Sequence, residues 1–272
     1  TGVAGMYRAY WGMECNPFDK EIPEKQFYKN NDFNEMTKRL EYLKNVKGIG
    51  LFTGLPGTGR TACCRAFVNG LNPSLYKVAY LPMTTISAGE FCSDLAKGLG
   101  LEPHYRKIDN FRNIQERIRG LYREQKTTLV VVADEAQYLS RAILADLKLL
   151  MNFEMDSRNY AVLVLAGQPT LNNTLSMQIH EALRQRIVVN YQMQGLTVQE
   201  VADYAKDRMK LCGVRREIFE PAALEAASGC CGGSIRRLGT LLHRALIIGC
   251  EQKRDTAGTE TIMDAANEID LI

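Results

Sequence analysis

The turn Gly54-Leu-Pro-Gly57-Thr-Gly59-Arg60-Thr61 constrains this chain more than any other segment. Before it, Gly48-Ile-Gly-Leu-Phe-Thr53 is a short apolar run bounded by turn residues, which reads as a buried strand. After it, Thr61 to Asn69 reads as a helix. Glycines let successive backbone N–H groups face inward around an anion. The helix start adds a partial positive charge. The spacing is that of a phosphate loop, G-x-x-x-x-G-K-[ST], with one departure: Arg60 stands where lysine is expected. On this reading Gly54, Pro56, Gly57, Thr58, Gly59, Arg60, Thr61 and Ala62 surround a nucleotide's phosphates, and the Thr61 hydroxyl is a magnesium ligand. Arginine is a broad planar fork and lysine a slim point charge. Binding is therefore expected to survive in weakened form, and hydrolysis to suffer more. An ordinary glycine-rich turn is the plain alternative.

The rest of the chain supplies the context. Lys77–Met83, Thr128–Ala133 and Tyr160–Ala166 read as further strands, with Thr128–Ala133 as a central one. Ala88–Leu99, Asn110–Glu124 and Arg141–Glu154 read as the helices between them. Such alternation predicts an α/β fold, a parallel sheet covered on both faces. Asn31 to Val46 adds a helix with Phe33, Met36, Leu40 and Leu43 on one face. Beyond Leu196 only helices are predicted, over 198–212, 221–228, 235–250 and 259–269. The expected organisation is an α/β nucleotide-binding domain over 6–195 and a small all-α lid over 196–272. Thr1 to Gly5, ahead of Met6, is set aside as an added or disordered leader.

The run Val130-Val-Val-Ala133 ends in Asp134-Glu135, two carboxylates at the carboxyl end of a strand, where ligands sit in such sheets. Asp134 is the expected partner of Thr61 on magnesium. Glu135 is the expected general base for a water. Gln168, just past the next strand in Gly167-Gln-Pro169, is placed to reach a γ-phosphate or that water. Arg184 and Arg186 are candidates to reach a neighbouring subunit's ATP, and Arg236 to fold back onto the phosphates. For these the plain alternatives are a loop glutamine and basic helix ends in solvent.

Composition removes several classes. Hydrophobic residues are 46% and charged residues 24%, which is globular rather than disordered, and a net charge of +3 does not by itself require nucleic acid. The eight cysteines include no C-x-x-C pair and the three histidines lie far from them, so reduced core thiols are expected rather than zinc. No apolar run approaches the roughly 20 residues that span a bilayer, and no signal peptide is seen, so a cytoplasmic protein without membrane contact is expected.

Phosphate loop, Asp-Glu strand, polar sensor, arginine finger and sensor arginine, in that order, resemble the AAA+ superfamily over nearly all of residues 27–270. Tyr10-Trp-Gly-Met-Glu-Cys-Asn-Pro-Phe18, Asp134-Glu-Ala-Gln137, Ala166-Gly-Gln-Pro169 and Leu183-Arg-Gln-Arg186 are similar, more narrowly, to the ExeA and TnsC-like ATPases. Some of that group serve secretion, and many assist a DDE-type transposase of a mobile element. The resemblance implies ATP and magnesium as cofactors, with Walker A and Walker B motifs here. It implies Thr61 and Asp134 on the metal, Glu135 on the water and Gln168 as first sensor. Arg186 becomes the finger in trans, supported by Arg184, and Arg236 the second sensor. It also implies a homo-oligomeric ring or filament, double-stranded DNA and a transposase as partners. The extra helix within Pro82–Gly100 is similar to that of initiator-type members, which implies DNA contacts at Thr84, Thr85, Arg106, Lys107 and Arg112; a solvated charged face is the plainer alternative. Two other readings stay open: a secretion-associated ATPase of the ExeA type, and a nucleotide-gated scaffold in which Arg60 leaves little hydrolysis.

Overall fold

In the computed structural model, residues 3–19, 22–82, 87–153 and 158–270 are described. In chain order the elements are α1 (Val3–Trp11), α2 (Asn31–Val46), β1 (Gly48–Thr53), α3 (Arg60–Asn69), β2 (Tyr76–Pro82), α4 (Ala88–Gly98), α5 (Lys107–Arg123) and β3 (Thr128–Asp134). Then come α6 (Arg141–Leu150), β4 (Ala161–Gly167), α7 (Thr170–Ser176), α8 (Glu181–Arg184) and β5 (Ile187–Gln192). Four helices close the chain: α9 (Val198–Leu211), α10 (Pro221–Cys231), α11 (Ile235–Glu251) and α12 (Thr259–Asp270). Two units form: Phe33–Leu55 with Arg60–Met193, and Thr1–Asp32 with Pro56–Gly59 and Gln194–Ile272.

The first unit is α/β. Its five strands run parallel in the order β2-β3-β4-β1-β5. β3 is interior as expected, though β4 holds the middle. β1, β3 and β4 are buried along their whole length, which is why they read as continuous apolar runs rather than alternating ones. Leu129, Val131, Leu163 and Leu165 face one apolar layer; Val130, Val132, Val162 and Val164 face the other. The register sets Thr53 opposite Gly167 and Pro82 opposite Asp134, so the strand ends that carry the candidate residues align. β5 escaped the sequence because only Val189 in it is buried. α5 starts at Lys107, three residues before the expected start, and α6 ends at Leu150; Glu154, its expected end, lies outside the described residues. Ser140 caps α6 by accepting the Ile143 N–H, and Ser87 with Glu90 forms a capping box on α4.

His180 is buried in this unit, 3% exposed, with no hydrogen-bond partner at Nε2. Burial first, and then the Arg141 charge, hold its pKa below the ordinary 6.5. The folded imidazole stays neutral while the unfolded one protonates, so this stabilisation is present above pH 6.5 and lost as pH falls toward the folded pKa. Denaturation midpoints should therefore drop on acidification below 6.5, and His180→Leu should flatten that drop. An unchanged slope in the variant would remove His180 as its source.

The second unit is helical, and α1 packs in it with α9 to α12 around Trp11, Leu238, Leu242 and Leu246. α1 begins at Val3, inside the stretch that the sequence reading set aside. Thr197 and Glu200 form a capping box at the start of α9. The expectation of reduced thiols fails at one pair: Cys15 and Cys212 form a disulfide with a Cα–Cα distance of 5.2 Å. Their separation of 197 residues hides the pair from any reading of spacing. Cys63, Cys64, Cys92, Cys230, Cys231 and Cys250 lie outside any disulfide. Among the described residues no helix is long and apolar enough to cross a membrane.

Candidate functional site

β1 delivers the chain into the loop with its end pinned. The Thr53 hydroxyl accepts from Asn172 Nδ2 at 3.2 Å, and the Gly54 N–H donates to the Gly167 carbonyl at 3.2 Å. Gly57 and Gly59 take φ of 80° and 106°, a region that strains any residue with a Cβ. At Gly57 space is also lacking: an added Cβ would collide with Ser234 Oγ and lie 3.1 Å from Arg236 Cβ. These residues belong to the helical unit with Pro56–Gly59, and in it the Arg236 N–H donates to the Gly57 carbonyl at 3.2 Å. The Arg236 side chain is exposed and Thr58 is buried.

In the α/β unit, α3 and the end of β3 bring Thr61 and Asp134 together. Thr61 Oγ1 donates to Asp134 Oδ2 at 2.9 Å. The Tyr80 hydroxyl donates to the same oxygen at 3.1 Å, and the Glu135 N–H to Oδ1 at 2.9 Å. Three donors thus hold a carboxylate that is only 4% exposed. The Tyr80 phenol is pushed up to about 12, by burial and then by the Asp134 charge, so it remains a donor at neutral pH. Hydroxyl plus carboxylate is a hard-oxygen set that fits magnesium, which keeps several waters and takes one or two protein oxygens.

Glu135 follows in the left-handed region, φ 52° and ψ 38°. Its Oε2 accepts from Gln137 Nε2 at 2.6 Å, and its Oε1 lies 3.4 Å from Arg60 Nη2. Arg60 is 5% exposed; its Nη1 donates to the Gly54 carbonyl, and its Nε is buried without an acceptor. A buried cation with a spare donor suits a phosphate oxygen. Next to it, burial and then the Asp134 charge push the Cys64 thiol up, so it stays protonated and is no nucleophile.

Gln168 is half-buried at the end of β4, and its N–H donates to Gln137 Oε1 at 3.0 Å. The structure thus gathers Arg60, Thr61, Asp134, Glu135 and, through Gln137, Gln168. It does not bring the candidate fingers there. Arg184 Nη1 donates to the Leu175 and Ser176 carbonyls at 3.1 and 2.9 Å, and Arg186 Nη1 to that of Lys148 at 2.7 Å. Of the candidate DNA contacts, Arg106 and Arg112 are exposed, while Lys107 is engaged with Asp146 at 2.6 Å. Thr84 and Thr85 lie outside the described residues. The sequence reading gave no role to Tyr80 or Gln137. No motif marks Tyr80, whereas Gln137 stood in the quoted Asp-Glu-Ala-Gln phrase.

Residues 44–175 match the family model described as an AAA domain. The α/β unit is therefore similar to an AAA domain over this segment. Across most of the chain, General secretion pathway protein A of Aeromonas hydrophila is 30% identical over 248 residues, covering 89% of this chain and 44% of that protein. The chain therefore spans less than half the length of this curated relative. Among solved structures, Cdc6p from Pyrobaculum aerophilum superposes with a TM-score of 0.66 at 15% identity, over 93% of this chain and 70% of that one. Drosophila ORC bound to DNA gives 0.67 at 16% identity, over 97% and 66%. At such identities the likeness is one of fold: the AAA domain's parallel sheet between helical layers.

Proposed function

We propose that this chain is a magnesium-ATP switch that assembles as a homo-oligomer on duplex DNA and there recruits or regulates a DDE-type transposase. The observation that carries the nucleotide part is the Thr61–Asp134 contact with Glu135 next in the chain. Thr61 and Asp134 would hold the metal. Backbone N–H groups of the loop and the Arg60 guanidinium would bind phosphate oxygens, and Glu135 would take a proton from water. ATP, when bound, supplies the phosphoryl group that this water attacks. Gln168 serves as first sensor, Arg186 with Arg184 as the finger across a subunit boundary, and Arg236 as second sensor. The nucleotide work is assigned to 6–195 and the lid role to 196–272.

The DNA part draws support from the resemblance of the Asp-Glu-Ala-Gln and Gly-Gln-Pro phrases to transposition helpers. It also draws on a fold shared with an ORC solved on DNA. Exposed Arg106 and Arg112 are the side chains available for phosphate contact. The test is fluorescence anisotropy on a labelled duplex of arbitrary sequence. Affinity is expected only with magnesium-ATP, without sequence preference, and falling steeply with salt. Arg106→Glu with Arg112→Glu should weaken it. No binding at low salt with nucleotide bound would remove DNA from the proposal. The second reading, a secretion-associated ATPase, is favoured by the 30% identity to General secretion pathway protein A. It expects nucleotide-driven assembly with no response to DNA.

A further inference from the structure

The ladder between β3 and β4 ends at the pair Ala133–Leu165, one residue short of Asp134. Past that pair no further register partners join β3 and β4 among the described residues, and the Gln137 side chain makes a crossing. Gln137 sits in the short 3-10 turn Ala136–Tyr138, anchored by fully buried Ala136. Its Oε1 accepts the Gln168 N–H at 3.0 Å, a group that can only donate. The amide orientation is thereby fixed, and Nε2 faces Glu135 Oε2 at 2.6 Å, an atom that can only accept. β4 makes room for the amide: a Cβ on Gly167 would lie 2.9 Å from Gln137 Oε1 and 3.2 Å from its N. We propose that Gln137 is a positioning residue whose amide fixes the Glu135 carboxylate and couples it to the turn that carries Gln168. This rests on the reading of Glu135 as the water-activating base. Glu135 needs such a fixture, because it lies half-buried at a left-handed backbone position that does not itself orient the carboxylate. A shift of the Gln168 turn then reaches Glu135 through a single amide group.

Two substitutions separate the bonds. Gln137→Met keeps length and shape and removes both. Gln137→Glu keeps an acceptor for the Gln168 N–H and removes the donor to Glu135. Three quantities are read, in the parent chain and in Arg60→Lys: Gln168 amide hydrogen exchange by NMR without nucleotide, magnesium-ATP binding by calorimetry, and steady-state ATP turnover. With Gln137→Met, Gln168 exchange should quicken about tenfold. Its kcat should fall about tenfold with KM and ATP affinity unchanged, as expected for an outer partner of a reacting group. With Gln137→Glu, exchange should stay slow while kcat still falls. Equal kcat in parent and both variants overturns the proposal, as does a KM that rises in step with the loss. If the parent binds ATP but neither background turns it over, the positioning role is overturned while the binding site stands. If neither background binds ATP, the nucleotide reading and this inference fall together.

Discussion

Arg60→Lys should raise ATP turnover about 100-fold, the scale of one well-placed charged donor in a transition state. In the parent chain the guanidinium is tied at both ends, to the Gly54 carbonyl and toward Glu135. Beyond its spare Nε, a phosphate oxygen can use the two outer nitrogens only after those contacts break, and hydrogen bonds to charged groups are worth about 1.5–3 kcal/mol each. The planar fork also spans from the Gly54 carbonyl toward the candidate base, with Nη2 3.4 Å from Glu135 Oε1. Lysine offers three donors on a slim stem and no second arm for Glu135. Phosphate release and calorimetry on the two proteins check this, with ATP binding expected to tighten by about tenfold, or 1.4 kcal/mol. Glu135→Gln in the lysine background should return turnover to the parent's level or below. If lysine changes neither binding nor turnover, arginine is not the brake, and the chain is a scaffold for other reasons.

Trp11→Ala should destabilise the helical unit by about 3–5 kcal/mol, the range for emptying a large aromatic site. This is the chain's only tryptophan, 1% exposed, and its Nε1 donates to the Leu246 carbonyl at 2.8 Å. The ring lies so close to α11 that a Cβ on Gly249 would come within 2.9 Å of Cζ2. Arg216 covers the ring at 5.4 Å and Tyr10 meets it edge-on at 5.0 Å. Alanine leaves a void that fixed helix backbones cannot close. Because typical domains hold only about 5–15 kcal/mol in all, this loss is a large share. Urea denaturation followed by circular dichroism measures it. A change below about 1 kcal/mol would mean the pocket collapses around the gap.

β1, the glycine-rich turn into α3, β3 and the placing of Asp134–Glu135 at its end were legible because each is a local signal: a buried run, a fixed glycine spacing, a strand ending in acid. The residues that join them were not. Tyr80 meets Asp134 only because β2 pairs with β3, and Gln137 meets Gln168 only because β3 neighbours β4. Strand order is a property of the folded sheet and leaves no spacing to read. Lys107 read as a surface cation because nothing local announces Asp146 on α6. β5 lacked apolar periodicity since an edge strand needs little of it. The Cys15–Cys212 bridge was invisible for the same reason as the strand pairs: contact without proximity in sequence.

The strand order also sets a timetable for biosynthesis. Among the described residues β1 bonds to β4 and β5 and to no other strand, so the strand that leads into Gly54 to Thr61 waits between partners encoded far downstream. A nascent chain displays Gly54 to Thr61 well before Ala161 has been translated. A fragment ending there would contain every residue of the loop but neither strand that flanks β1. A ligand of this loop, nucleotide on the reading proposed above, would meet β1 flanked on both sides only after the last strand of the sheet has been made.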